Sequence, residues 1–226
     1  TLCALSALGV LERMSRRLAS QEESKNLRAR TLAAEPRGPP SLKMSKRNSR
    51  TTCPIRDEKV VYLTFEDGPH SDVREHAQVL HDLGVNATYF WLGWAVEAFE
   101  ETHGRGSLRN VSALGHTVAA HTWGHQNLGK KGVNRSREFD DTNAEIAQAI
   151  DSPRALDGGL LFRPPYGTYP LDGDTLGDLA EHYKASMTWS VDSRDWDTKA
   201  TPTTQAVLNP ILSRARSPNF GAEGHI

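Results

Sequence analysis

Cysteine is scarce in this chain, with two in 226 residues, Cys3 and Cys53. One pair could tie the N-terminal stretch to the edge of a folded domain, but a core stapled by disulfides is excluded, and so few thiols leave the cellular compartment open. Long apolar runs are lacking as well. The opening TLCALSALGV is apolar but only ten residues long, against the roughly 20 needed to span a bilayer. It reads equally as the end of a signal-peptide apolar region, with ALSA as a small-residue cleavage site, or as a turn of amphipathic helix. No transmembrane helix is expected in the chain, and the Thr at position 1 leads us to expect a natural N-terminus further upstream. Aromatic residues are absent from positions 1–50, where 11 Lys/Arg face 4 Asp/Glu, a balance of +7. The remainder carries 16 against 24, a balance of −8. A stretch without aromatics buries too little apolar surface to offset the entropy of ordering it. Residues 1–52 are therefore read as a basic, disordered tail or linker, a solvated tether rather than a nucleic-acid arm. The whole-chain charge of −1 singles out no class of partner, and no internal repeat is visible.

From Asp57 onward the texture changes. KVVYLTF is a β-branched and aromatic run that predicts a buried strand. SDVREHAQVLHDLG comes next, with Val73, Ala77, Val79, Leu80 and Leu83 at roughly helical spacing and Gly84 as a stop. The alternation continues: strand ATYFWLGW, helix AVEAFEETHG, strand HTVAAHTW, helix SREFDDTNAEIAQAI, strand GGLLFRPPYG. Helix LDGDTLGDLAEHY, strand KASMTWSVDS and helix TTQAVLNPILSRA complete it, the last with Pro210 near its middle. Strands alternating with helices mean βα units around a parallel sheet or barrel, an α/β fold. In such folds chemistry collects where strands end, and here each polar cluster comes just after a strand.

There are four clusters. In TFEDGPH, Gly68 and Pro69 force a turn directly after Glu66 and Asp67, holding both carboxylates at a strand end and pointing them in different directions. On that stretch alone, a solvated Asp-Gly turn is the simpler account. In HTWGH, His121 and His125 lie four apart and can reach one metal if the backbone is tightly coiled. With Asp67 they make two nitrogens and one oxygen, a ligand set that leaves a catalytic zinc one open position. In FRPPYG, two prolines stiffen the backbone after Arg163, whose fork can clamp a carboxylate bidentately. WSVDSRDWD offers Asp192, Asp195 and the broad face of Trp196.

In order and spacing these clusters resemble the NodB-homology polysaccharide deacetylases, carbohydrate esterase family four. Motifs of that family read Thr-Phe-Asp-Asp-Gly-Pro, His-Ser/Thr-x-x-His, Arg-x-Pro-Tyr, Asp-x-x-Asp-Trp and Leu-x-His. The similarity extends to Gly115 and His116 and covers residues 55–226. It implies a distorted (β/α) barrel. It also implies one divalent metal on Asp67, His121 and His125, zinc first and cobalt or nickel as substitutes. By the same resemblance Glu66 stands at the general-base position, Arg163 orients it, and the Tyr166 amide helps hold the oxyanion. Asp195 tunes a catalytic histidine, and Trp196 lines the sugar groove. The implied reaction is hydrolysis of N-acetyl groups on an amino-sugar polymer or oligomer of the chitin or peptidoglycan kind. An expected monomer, secreted or in the cell envelope, accords with where such polymers lie.

Two departures qualify the resemblance. The family has Asp where this chain has Glu66. The extra methylene displaces the base by about 1 Å, a misplacement that costs about a hundredfold in rate, so Glu66→Asp is expected to raise turnover. The fifth motif is not reached either. The chain closes on GAEGHI, and His225 has Glu223 two positions before it instead of an apolar residue. We therefore expect the catalytic histidine and the last strand beyond residue 226. The alternatives are an O-acetyl xylan esterase, which would use the same site, and a catalytically impaired, metal-containing carbohydrate-binding protein.

Overall fold

The computed structural model describes residues 61–152, 159–168 and 172–217. The basic tail at 1–52, Cys3, Cys53 and His225 lie outside the described residues. Five strands, β1 (Leu63–Gly68), β2 (Ala87–Trp91), β3 (Thr117–Ala120), β4 (Leu161–Phe162) and β5 (Ala185–Ser186), form one sheet in chain order. All four pairings are parallel. Parallel neighbours need crossovers, and helices supply them: α1 (Val73–Asp82), α2 (Gly93–His103), α3 (Arg109–Ala113), α4 (Thr142–Ala149) and α5 (Gly173–His182), with α6 (Thr204–Arg216) after β5. The predicted α/β architecture is thus observed as a parallel sheet flanked by helices.

Periodicity explains the packing. In α1 the buried residues are Val73, His76, Ala77 and Leu80, spaced i, i+3, i+4 and i+7 on one face. His76 belongs to this face, while Val79, which the apolar pattern includes, is only half-buried. β2, inside the sheet, buries Ala87, Tyr89, Phe90 and Trp91 on both faces. β1 is different. The run KVVYLTF predicts a buried strand, yet pairing starts only at Leu63, and Val61 and Tyr62 are about half exposed. As first strand of the sheet, β1 has a partner on one side only among the described residues. Two further differences bear on the site. The helix predicted over 136–150 opens with a π-helical segment, Arg137–Asp141, before α4. The ten-residue strand predicted from Lys184 pairs over two residues only. Beyond it, Asp192 and Asp197 accept the local amides of Arg194 (2.8 Å), Lys199 (3.2 Å) and Ala200 (3.0 Å), drawing the backbone away from a ladder and into a loop.

Past the last paired residues the sheet continues as single backbone bonds. Leu92 N donates to Gly68 O (2.9 Å), His121 N to Trp91 O (2.9 Å), Arg163 N to Ala120 O (3.0 Å) and Met187 N to Phe162 O (2.8 Å). This row brings the ends of all five strands level along one rim, where β1, β3, β4 and β5 each carry one of the polar clusters.

Candidate metal centre and active site

Glu66 and Asp67 sit in an irregularity of β1. Phe65 pairs with Tyr89 and Gly68 with Trp91, so three steps on β1 face two on β2. Asp67 has φ 63°, in the left-handed region. In a regular strand, neighbouring side chains would point to opposite faces. The bulge and the left-handed residue cancel that alternation. Both carboxylates converge on the same ring nitrogen, His121 Nε2, with Asp67 Oδ1 at 3.4 Å and Glu66 Oε2 at 3.6 Å. The expectation that the two point in different directions is therefore corrected.

His121 is fully buried, and its Nδ1–H donates to Arg163 O at 2.7 Å. That bond assigns the tautomer: Nε2 carries the lone pair, and it has no hydrogen-bond partner despite being buried. His125 reaches the same place from a left-handed backbone, φ 56°, with Nε2 3.3 Å from Asp67 Oδ1. One ligand atom each from Asp67, His121 and His125 lie within 4.8 Å of one another. Two ligands held 2.0–2.1 Å from a tetrahedral ion are separated by about 3.3 Å, which matches the two measured Asp–His separations. The orphaned Nε2, the fixed tautomer and these spacings fit a divalent metal.

Charge supports the arrangement. Burial lowers the pKa of His125 by more than the nearby Asp67 carboxylate raises it, which favours the neutral imidazole that ligates. Burial pushes the Asp67 carboxyl up, but the imidazoles close to it, His121 first and then His125 and His70, outweigh this and hold it below the usual carboxylate range.

Arg163 is fully buried, its guanidinium 4.0 Å from the Phe90 ring centroid. Nη1 donates to Glu66 Oε1 (2.6 Å) and Thr64 Oγ1 (2.9 Å), and Nη2 donates to Thr188 O (3.4 Å). Glu66 does not take up the expected bidentate clamp, because its second oxygen is turned toward His121. Thr64 and Glu66 share a face of β1, which explains why one nitrogen serves both.

The sequence profile of the polysaccharide deacetylase family matches residues 54–183, a span that contains the first three clusters in this order. The chain belongs to the polysaccharide deacetylase family. A chitooligosaccharide deacetylase from Bradyrhizobium sp. is 35% identical over 168 residues, 72% of this chain and 68% of that protein. The peptidoglycan-N-acetylglucosamine deacetylase of Bacillus cereus is 30% identical over 191 residues, 79% of this chain but only 63% of the relative. Among solved structures, the polysaccharide deacetylase Bc1974 from Bacillus cereus matches with a TM-score of 0.56 at 29% identity, covering 71% of this chain and 76% of that one.

In this member of the family the remaining predicted residues divide between two loops. Tyr166 (φ 61°) is exposed, and its ring packs edge-on against His125 at 4.5 Å between centroids. The surrounding turn is closed by Gly167 N to Pro164 O and Thr168 N to Pro165 O (both 3.2 Å), so the Tyr166 amide is not spent on the turn. Asp195 and Trp196 lie on the loop after β5, where Ser193 Oγ donates to Asp195 Oδ1 (2.6 Å) and Trp196 is 66% exposed. Trp189 ties that loop to the site. Its ring lies 5.7 Å from the Arg163 guanidinium, and a Cβ on Gly167 would meet it at 2.7 Å. Sequence reasoning missed Thr64 and Glu138. Glu138 Oε2 accepts the N–H of Gly124, within the His-x-x-x-His loop, at 3.0 Å. Thr64 stands inside the first motif and shares the face of Glu66, so strand periodicity alone could have found it.

Proposed function

We propose that this chain is a metal-dependent hydrolase that removes N-acetyl groups from an amino-sugar polymer or oligomer. The observation that carries the reading is the convergence of Glu66, paired to Arg163 at 2.6 Å, on a buried, unpartnered His121 Nε2 beside Asp67 and His125. The activities for which the relatives are named, on chitooligosaccharides and on peptidoglycan N-acetylglucosamine, support the substrate class.

An amide is a poor electrophile, and a divalent ion held by Asp67, His121 and His125 would supply Lewis-acid polarisation and lower the pKa of water from about 16 toward about 7. The chain's own residues do the rest. Arg163 holds Glu66 Oε1, leaving Oε2 directed at the ligand cluster, where it takes the proton of the attacking water. The buried guanidinium offsets the charge of two adjacent carboxylates. The Tyr166 N–H, unused by its turn, donates to the oxygen on which negative charge develops. The C–N bond breaks as the proton taken up by Glu66 passes to the amide nitrogen, so the amine leaves and acetate is the second product. Polymers of this class lie outside the cytoplasm, so we place the protein in the cell envelope or among secreted proteins. No helix among the described residues is long and apolar enough to cross a membrane.

The test is acetate release from an N-acetylglucosamine oligomer, with zinc content measured alongside. The parent should bind one zinc per chain and release acetate, Glu66→Ala should keep the zinc and lose turnover, and His121→Ala should lose both. Equal zinc content in the parent and His121→Ala would sink the metal site. A zinc-loaded parent that releases no acetate would sink the hydrolase reading in favour of a carbohydrate-binding role.

A further inference from the structure

Glu138 is a carboxylate only 6% exposed, on the π-helical segment Arg137–Asp141. π turns are rare, and they occur disproportionately at functional sites. This one carries Glu138 and Phe139 to the buried side together. A carboxylate so buried requires polar partners. Glu138 Oε2 accepts Gly124 N–H at 3.0 Å, and Gly124 immediately precedes the ligand His125.

The surrounding loop shows why that bond matters. On the β2 side it is hung by two backbone bonds, Gly93 N to Thr122 O (3.0 Å) and Trp94 N to Trp123 O (3.3 Å). Neither acts on Gly124 or His125. Thr122 and His125 both have left-handed backbones, φ 73° and 56°, a conformation that costs a non-glycine residue about 1–3 kcal/mol and persists only where the surroundings impose it. The Tyr166 ring covers the imidazole of His125, but the backbone leading into His125 is held by the Glu138 oxygen. Glu138 is itself braced, since Thr142 Oγ1 donates to Glu138 O at 2.9 Å and Glu138 N to Asn134 O at 3.1 Å.

We infer that Glu138 is a positioning residue of the metal centre: by accepting Gly124 N–H it holds His125 in its left-handed, ligating pose and so sets the affinity for the ion. The inference rests on the reading of Asp67, His121 and His125 as a metal site. It attributes the effect to the hydrogen-bond acceptor, not to the negative charge. Glu138→Gln keeps an acceptor oxygen at the same reach and removes the charge. Glu138→Met fills similar space without that oxygen.

Zinc affinity of the whole chain, measured by competition with a chromogenic chelator, separates the possibilities, with His121→Ala as the site control. Loss of an outer partner of a metal ligand costs about 10–100-fold in affinity, and Glu138→Met should show a loss of that size. Glu138→Gln should stay within about threefold of the parent, because the hydrogen bond survives. The visible spectrum of the cobalt-loaded protein should change in Glu138→Met and be retained in Glu138→Gln, a signature that loss of stability alone would not produce. Thermal unfolding of the metal-free proteins reports folding. Should Glu138→Met fail to fold, Glu138→Asp replaces it, because it keeps the charge but withdraws the acceptor, and it should bind zinc as weakly as predicted for Met. Affinity in Glu138→Met equal to the parent's, or an equal loss in Glu138→Gln and Glu138→Met, would overturn the inference while leaving the metal site standing. A parent that binds no zinc would overturn the site itself.

Discussion

Shortening Glu66 to aspartate tests how the base position is reached. From the family pattern, Glu66 is one methylene too long, and Glu66→Asp is expected to gain activity. The geometry argues the reverse. Glu66 Oε1 already lies 2.6 Å from Arg163 Nη1, and Oε2 lies 3.6 Å from His121 Nε2. Removing a carbon withdraws the carboxylate by up to one C–C bond, about 1.5 Å. The contact with Arg163 then opens to about 4 Å, outside hydrogen-bond range. A displacement of about 1 Å at a reacting group costs about a hundredfold, so kcat for acetate release should fall by about 10–100-fold. Zinc affinity should be unchanged, because Asp67, His121 and His125 are untouched, and KM should move little. The assay is steady-state acetate release from an N-acetylglucosamine oligomer at matched zinc occupancy. Turnover in Glu66→Asp equal to or above the parent's would refute the reasoning, and would mean that the β1 bulge relaxes to bring the shorter side chain forward.

Arg163→Lys keeps the charge but loses the second arm to Thr188 O and the planar contact with Phe90. Turnover should drop by about tenfold or more with zinc retained, read by the same assay with metal analysis. Burial lowers the pKa of His76 to about 4, with Asp72 opposing and His116 adding to the shift. The unfolded chain takes up this proton near pH 6.5 and the folded chain only near 4, so its stabilising effect is complete above pH 6.5 and is lost as pH falls toward 4. Between pH 7.5 and 5 this group should remove about 2 kcal/mol of stability, a loss that urea titrations of His76→Gln should not show. A Cβ at Gly93 would meet Trp123 Cε3 at 2.5 Å and Thr142 Oγ1 at 2.9 Å. Gly93→Ala should therefore cost about 1–3 kcal/mol by overpacking, measured as a lower unfolding midpoint.

The site is legible in the sequence where its order along the chain mirrors its order in space. Parallel strands in chain order place successive strand ends side by side, so four clusters separated by many residues meet along one rim. The illegible part depends on single backbone angles and on packing. Nothing in TFEDGPH shows that Asp67 adopts φ 63° and swings two adjacent carboxylates to one point. Glu138 lies in a segment whose composition is that of an ordinary polar helix, and its burial comes from a π turn that propensity does not encode. MTWSV has strand composition, which makes β5 look long, but the side-chain oxygens of Asp192 and Asp197 compete for the backbone beyond it. The half-exposed start of β1 has a related cause: apolar composition reports the capacity to be buried, and a strand that is paired on one side only among the described residues leaves part of it in water.

Arg163 acts on the site through two chemically separate parts. Its carbonyl accepts the Nδ1–H of His121, and its side chain holds Glu66. A replacement at position 163 changes the second contact and leaves the first in place, because every amino acid brings the same carbonyl. Ion binding and proton transfer are therefore separable by mutation at this residue. They are inseparable by any movement of the backbone between β4 and the two prolines after it, since a slip of that short segment would shift ligand and base together. The stiffness of Pro164 and Pro165 thus works as a gauge block, keeping two reactive groups from different strands at one fixed separation.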